Sequence, residues 1–397
     1  MKTKRIFRFF GFLVLTVSVF YGQEAQNVMN PDKPLQGRIT VEAAEKLVIR
    51  PGALGKDAYF AIDQYSLSPL DGSIYLLDAK DFALHVFDAA GKHLRVIRIK
   101  KGQGPGEFAS GMPLSHRAYP REEGLWVEDY EKIALFDPQG KVIREKTKDR
   151  DYYRIQGITS ESFLAITDEF RPAPDPIRAA GNTQRFQSEN WEGKSPVPFF
   201  SSDKTGGWGN GWVRDVKDYR ITPLILFDYE VRDKKIVYGV SDDYVLFIKD
   251  VSGKALLTIR RNFIPRKISS DMRRTIMASP DLQRLSKITK QNGEDFEKMM
   301  DVNQPWDHLN PMINVQFLEN GSLCVFVLKD AEGRFEADLF DPRGRWQATL
   351  QFPDSMRILT EPRLLGNRLA GLVLDEEAGE HFYVEYALKN VPAGLLK

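Results

Sequence analysis

The amino-acid sequence predicts an all-β fold, a six-bladed β-propeller, on three observations. Short runs rich in β-branched and aromatic residues alternate with turn formers. An Asp-x-x-Gly turn followed by Lys or Arg recurs along the chain. The spacing of that turn fits a four-stranded blade of about 40–50 residues.

The runs are Ile74-Tyr75-Leu76-Leu77, Leu125-Trp126-Val127, Lys235-Ile236-Val237-Tyr238 and Leu323 to Leu328. Gly, Asn and Asp between them indicate antiparallel hairpins rather than alternating strands and helices. One turn leads into a strand at Asp71-Gly72-Ser73-Ile74, Glu123-Gly124-Leu125 and Asn320-Gly321-Ser322-Leu323. The Asp-x-x-Gly turn occurs at Asp88–Lys92, Asp137–Lys141, Asp250–Lys254 and Asp341–Arg345, and Phe precedes the Asp in three of the four copies. Gly supplies the positive φ that a tight hairpin needs, and Asp or Asn tolerates the same region.

From Gly91 to Gly140 is 49 residues, one blade, and from Gly140 to Gly253 is 113, two blades with a degenerate turn between them. The degenerate blade holds Ser162-Phe163-Leu164-Ala165-Ile166. Gly253 to Gly344 spans 91 residues, of which a helical insertion takes about 40. A last unit fits 367–372 and 381–386. The count is six, at about 52 residues each, with seven of about 45 as the alternative. Either Ile39-Thr40-Val41 or Leu47-Val48-Ile49 is expected to complete the last blade and close the ring. The propeller is expected over 38–392, after a linker at 23–37, with the insertion at about 266–306. Within the insertion, 269–278 and 281–292 read as helices, with Ser270 and Ser279 as candidate caps and Leu282, Leu285 and Ile288 as one apolar stripe. It reads either as a lid over the channel or as a piece packed on the ring's flank.

Composition narrows the function. Net charge is +1 from 56 basic and 55 acidic residues, so no nucleic-acid partner is indicated. Lys2, Lys4, Arg5 and Arg8 precede the apolar run 9–21, the form of a secretory signal over residues 1–22. The run is short for a membrane span. Periplasmic or extracellular location follows as the expectation, with an uncleaved anchor as the alternative. Cys324 is the single cysteine and reads as a small core residue.

Residues Lys101-Gly102-Gln103-Gly104-Pro105-Gly106-Glu107-Phe108, then Pro113 and 124–129, resemble a family of exported bacterial six-bladed β-propellers related to the NHL-repeat propellers. In that family such a loop joins one blade to the next, and a Phe-Asp-x-x-Gly-Lys turn, here 87–92, precedes it. Residues 243–254, Arg260-Arg261 and Pro265 resemble a mid-chain segment of the same proteins. The resemblance implies fold and export, and little about activity.

Candidate chemistry is sparse. The Gly102-x-Gly104-x-Gly106 loop lacks the helix or Gly-Lys-Ser/Thr ending of a phosphate cradle, and Glu107 would repel phosphate, so a structural turn with Phe108 as an apolar plug is expected. His85, His93, His116, His308 and His381 lack zinc spacing, with His85 and His93 expected as surface or cross-strand residues. Calcium at Asp78, Asp129 or Asp242 is conceivable, but an Asp closing a strand more often accepts backbone hydrogen bonds. No catalytic or metal residue is assigned. Trp208 and Trp212, in Gly206-Gly207-Trp208-Gly209-Asn210-Gly211-Trp212, are the candidate ligand contacts, suited to stacking on a sugar or peptide. The expectation is a monomeric, non-enzymatic propeller that binds a protein, peptide or glycan at one mouth of its channel. A metal-dependent hydrolase or lyase with its site there is the alternative.

Overall fold

The computed structural model describes residues 25–396 except 55–59, 109–116, 171–181, 203–224, most of 279–307, and gaps of one to three residues elsewhere. Six antiparallel sheets form the six blades of a propeller. Three N-terminal strands precede them: β1 (Gln26–Asn30), β2 (Arg38–Thr40) and β3 (Glu42–Ile49). Blade 1 runs from Gln64–Leu67 to His93–Arg98, blade 2 from Arg117–Arg121 to Val142–Thr147, and blade 3 from Tyr152–Thr159 to Val197–Ser202. Blade 4 runs from Ile225–Glu230 to Ala255–Arg261 and blade 5 from Met312–Phe317 to Trp346–Gln351. Blade 6 holds Thr360–Leu365, Arg368–Asp375 and Glu380–Lys389, and β3 is its fourth strand.

The core lies between blades, because each sheet is apolar on both faces. Six clusters of buried residues fill six seams among the described residues. Leu84, Phe108 and Ala134 fill the seam between blades 1 and 2, and Trp126, Phe163 and Trp191 the next. Each large side chain so buried contributes about 1.5–3 kcal/mol. Cys324 is fully buried in the seam between blades 5 and 6, where burial raises its thiol pKa well above normal. It is core, as expected.

The Asp-x-x-Gly turns join the third and fourth strands of their blades. In blade 1, Asp88 Oδ1 accepts the amides of Ala90 and Lys92, both at 2.9 Å, and Gly91 N–H donates to Asp88 O at 2.9 Å. Gly91 has φ +82°, where a side chain is strained. The copies at Asp137, Asp250 and Asp341 repeat these bonds. The degenerate turn of blade 3 is Asn190-Trp191-Glu192-Gly193-Lys194. There Lys194 N–H donates to Asn190 Oδ1 at 2.9 Å and Gly193 N–H to Asn190 O at 3.0 Å. Blade 6 has no such turn, because its fourth strand comes from the other end of the chain.

Both candidate closing segments are strands, but only one closes the ring. β3 pairs antiparallel with Glu380–Lys389 in blade 6, whereas β2 adds a fifth, parallel strand to blade 5. Residues 26–30, within the stretch expected as a linker, add a fifth strand to blade 4. The N-terminal segment therefore crosses the rims of three consecutive blades. Asn30 fastens it: its Oδ1 accepts Trp346 N–H at 2.7 Å, and its Nδ2 donates to Gly344 O at 2.9 Å and Arg260 O at 3.3 Å.

The insertion joins blades 4 and 5. Its first helix, α1, is Ser270–Met277, and Ser269 caps it, accepting Met272 N–H on Oγ at 3.2 Å. Ser270, expected as a cap, is the first helical residue. Ile268 and Met272 pack on the core of blades 5 and 6. The second expected helix lies almost wholly outside the described residues, as do Ser279 and the apolar stripe of Leu282, Leu285 and Ile288.

Candidate functional site

The first strand of each blade faces the axis, and its free edge would leave backbone N–H and C=O groups unpaired. Side chains from neighbouring blades supply the missing partners. Asp228 Oδ2 in blade 4 accepts Phe317 N–H in blade 5 at 2.8 Å. Gln316 both donates to Leu364 O at 2.7 Å and accepts Leu364 N–H at 2.8 Å, joining blade 5 to blade 6. Asn314 Nδ2 donates to Pro362 O at 2.9 Å. Tyr65 in blade 1 donates its hydroxyl to Glu361 O at 2.5 Å, and burial pushes its pKa well above normal, so the proton stays. These polar residues stitch the ring.

Arg363 stands apart from this ladder. It lies on the first strand of blade 6 and reaches past blade 5 to Asp228 of blade 4, at 3.5 Å. Its side chain is 29% exposed, and among the described residues that long contact is its one hydrogen bond. Before it, Glu361 has φ +50° and is exposed, and the ladder slips between Thr360 and Arg363. A bulge of this kind re-aims a side chain, and the left-handed backbone at a non-glycine residue is strained. Gly371 makes room for it: a Cβ there would lie 2.9 Å from Leu359 Cβ and 3.1 Å from Thr360 O. Arg363, Asp228 and Glu361 thus present a donor fork and two carboxylates at the axis.

A second polar group is fully enclosed between blades 4 and 5. Asp338, 1% exposed, accepts hydrogen bonds from Tyr244 at 2.6 Å, Thr349 at 2.6 Å, Trp346 Nε1 at 3.2 Å and Arg261 Nη1. The Arg261 guanidinium stacks 3.7 Å above the Trp346 ring. Burial raises the Asp338 carboxyl above its usual pKa, and Arg261 and the hydroxyl donors pull it back. The network joins the two blades, and among the described residues the buried Arg261 Nε has no hydrogen-bond partner. Its residues follow no motif, although Arg261 sits in the segment that resembles the exported family.

The other candidates resolve into structure. The glycine loop after blade 1 folds around its own carboxylate: Glu107 Oε2 accepts Gly104 N–H at 2.9 Å, and Gly106 N–H donates to Glu145 Oε2 at 2.7 Å. A Cβ at Gly102 would lie 2.2 Å from Glu107 Oε2. Phe108 is fully buried between blades 1 and 2, the plug the sequence implied. Asp78 caps a loop end, accepting Ala61 N–H and Asp81 N–H, each at 3.0 Å. His85 is cross-strand and buried rather than on the surface. Among the described residues no three of His, Cys, Asp and Glu converge as a metal site requires. Trp208, Trp212, His116 and Asp129 lie outside the described residues.

Strand alternation sets which face these features share. Turns between first and second and between third and fourth strands open on one face; blade-to-blade connections open on the other. The strand ends that bound the long connections 98–117, 202–225 and 261–312 lie at the second face.

No family model and no curated relative matches the chain. Among solved structures it is similar to a member of the DUF4221 family from Bacteroides vulgatus, with TM-score 0.54 and 11% identity over 88% of this chain and 99% of that one. It is also similar to a protein from Bacteroides fragilis described as exported, with TM-score 0.51 and 12% identity over 92% of this chain and 99% of that one. At such identity the likeness establishes one thing: the chain is a six-bladed β-propeller.

Proposed function

We propose that this chain is an exported, non-enzymatic propeller of the cell envelope that binds a protein, peptide or glycan at the channel mouth on the face of the long connections. The observation that carries the reading is Arg363. Asp228, Asn314, Gln316 and Tyr65 each hold a backbone group of a neighbouring blade, whereas Arg363 has a single long hydrogen bond among the described residues and stands on a strained bulge. Strain held at an accessible position is a mark of a working site. Trp208 and Trp212 belong to the 202–225 connection, whose ends open on the same face, and would add stacking area. The basic and apolar start supports export, as does the description of the Bacteroides fragilis neighbour. No helix among the described residues is long and apolar enough to cross a membrane.

The test is a screen of the purified full-length protein on glycan and peptide arrays beside two variants, Arg363→Lys and Trp208→Ala/Trp212→Ala. A hit that both variants weaken is expected. Hits indifferent to both, or conversion of an arrayed glycan on addition of calcium, would overturn the reading.

A further inference from the structure

The face of blade 1 opposite its seam with blade 2 carries two imidazoles in an apolar cage. His85 lies on the third strand and His93 opens the fourth, their rings 5.9 Å apart. Phe60 stacks on His85 at 4.1 Å, and Phe87 meets His93 edge-on at 5.1 Å. His85 is 8% exposed. Its Nδ1 and the Nε2 of His93 are buried with no hydrogen-bond partner among the described residues. Unpartnered buried nitrogens in a native structure call for a reason beyond packing, since a Phe or Leu would fill the same space without the desolvation penalty.

The place of the pair supplies one. Phe60 and Ile62 belong to the segment between β3, which closes the ring, and the first strand of blade 1. Leu47 of β3 packs over Gly91, in the turn beside His93. The imidazoles therefore lie under the joint where the two ends of the ring meet. The charged groups that act on His85 are His93 and Arg98 on the fourth strand, Asp78 on the second, and Asp81 in the connecting loop. Residues 60–62 carry no ionisable side chain, and Asp63 next to them has its amide held by Leu77 O at 2.9 Å.

We propose that His85, with His93 beside it, forms an acid-sensitive latch at the ring's closing joint: neutral, His85 packs beneath Phe60; protonated, it releases residues 60–63 from blade 1. Burial is the main force against a charge on His85, and His93 and Arg98 add to it, while Asp78 and Asp81 oppose them. The sign follows. His85 is held below the ordinary imidazole value of about 6.5, so the open form takes the proton more readily than the closed one. The latch is intact above that value and weakens as pH falls below it.

The experiment is hydrogen exchange of the wild-type protein at pH 7.5 and 5.5, corrected for intrinsic exchange, with the remaining blades as internal reference. Peptides covering 60–63 and 83–98 should lose protection selectively on acidification, by up to about tenfold per pH unit for one coupled proton. His85→Phe, which keeps the stack on Phe60, should abolish the selective loss. If that variant fails to fold, the imidazole resonances of the wild type decide by NMR. Titration of His85 below the ordinary range is expected. Uniform protection across blades at both pH values, an unchanged loss in His85→Phe, or an ordinary imidazole titration would overturn the proposal.

Discussion

The seam between blades 1 and 2 and the seam between blades 4 and 5 meet the same packing demand with opposite chemistry. In the first, Phe108 is inserted from a glycine loop into an apolar cluster of Leu77, Leu84, Leu125 and Ala134. In the second, Asp338 gathers Arg261, Tyr244, Trp346 and Thr349 into a buried network. An apolar plug acts through area and tolerates small changes of shape. A buried polar network depends on its members being present, because each loss strands another group in low dielectric. The plug seam was readable in the sequence, since its loop is a local motif. The network was not, since its members are distributed over 244–349 and meet only when two blades pack.

This contrast gives a ranked set of outcomes in urea unfolding. Asp338→Ala leaves the Arg261 charge buried without its partner and should destabilise the protein by about 4 kcal/mol. The double variant Asp338→Ala/Arg261→Met should recover more than half of that loss, because removing both charges relieves the penalty; additive losses would refute the network. Phe108→Ala should lower stability by about 3 kcal/mol through the cavity it opens, with no rescue available from a second polar change. Asn30→Ala should cost about 2 kcal/mol, since Trp346 N–H and Gly344 O lose their partner in a buried place. A negligible effect there would mean that β1 does not hold the rim of blade 5. Asp88→Ala should cost about 1 kcal/mol, the smallest change, because the turn amides it releases face water.

Legibility followed the range of the interactions. Four Asp-x-x-Gly turns, the blade count and Phe108 are local, and the residues that specify them stand next to one another. Blade 3 escaped the pattern because Asn190 replaces Asp, although Asn Oδ1 accepts the same amide. β1 was obscured because a fifth strand needs only a short extended run, which reads as a linker, and β2 was legible as a strand but not as the fifth strand of blade 5. Arg363 and Glu361 carried no signal at all: the bulge on their axial strand is accommodated by Gly371 on the neighbouring strand Arg368–Asp375, a packing relation that no local motif marks.

The axial groups divide into those that stitch the ring and one, Arg363, that does not. Comparing the unfolding free energies of Gln316→Ala and Arg363→Lys tests that division directly. Gln316→Ala leaves both backbone groups of Leu364 without partners and should lose about 2 kcal/mol or more, while Arg363→Lys keeps the charge and should stay within about 0.5 kcal/mol of wild type. Equal losses in the two variants would contradict it, and would make Arg363 one more stitch in the ring.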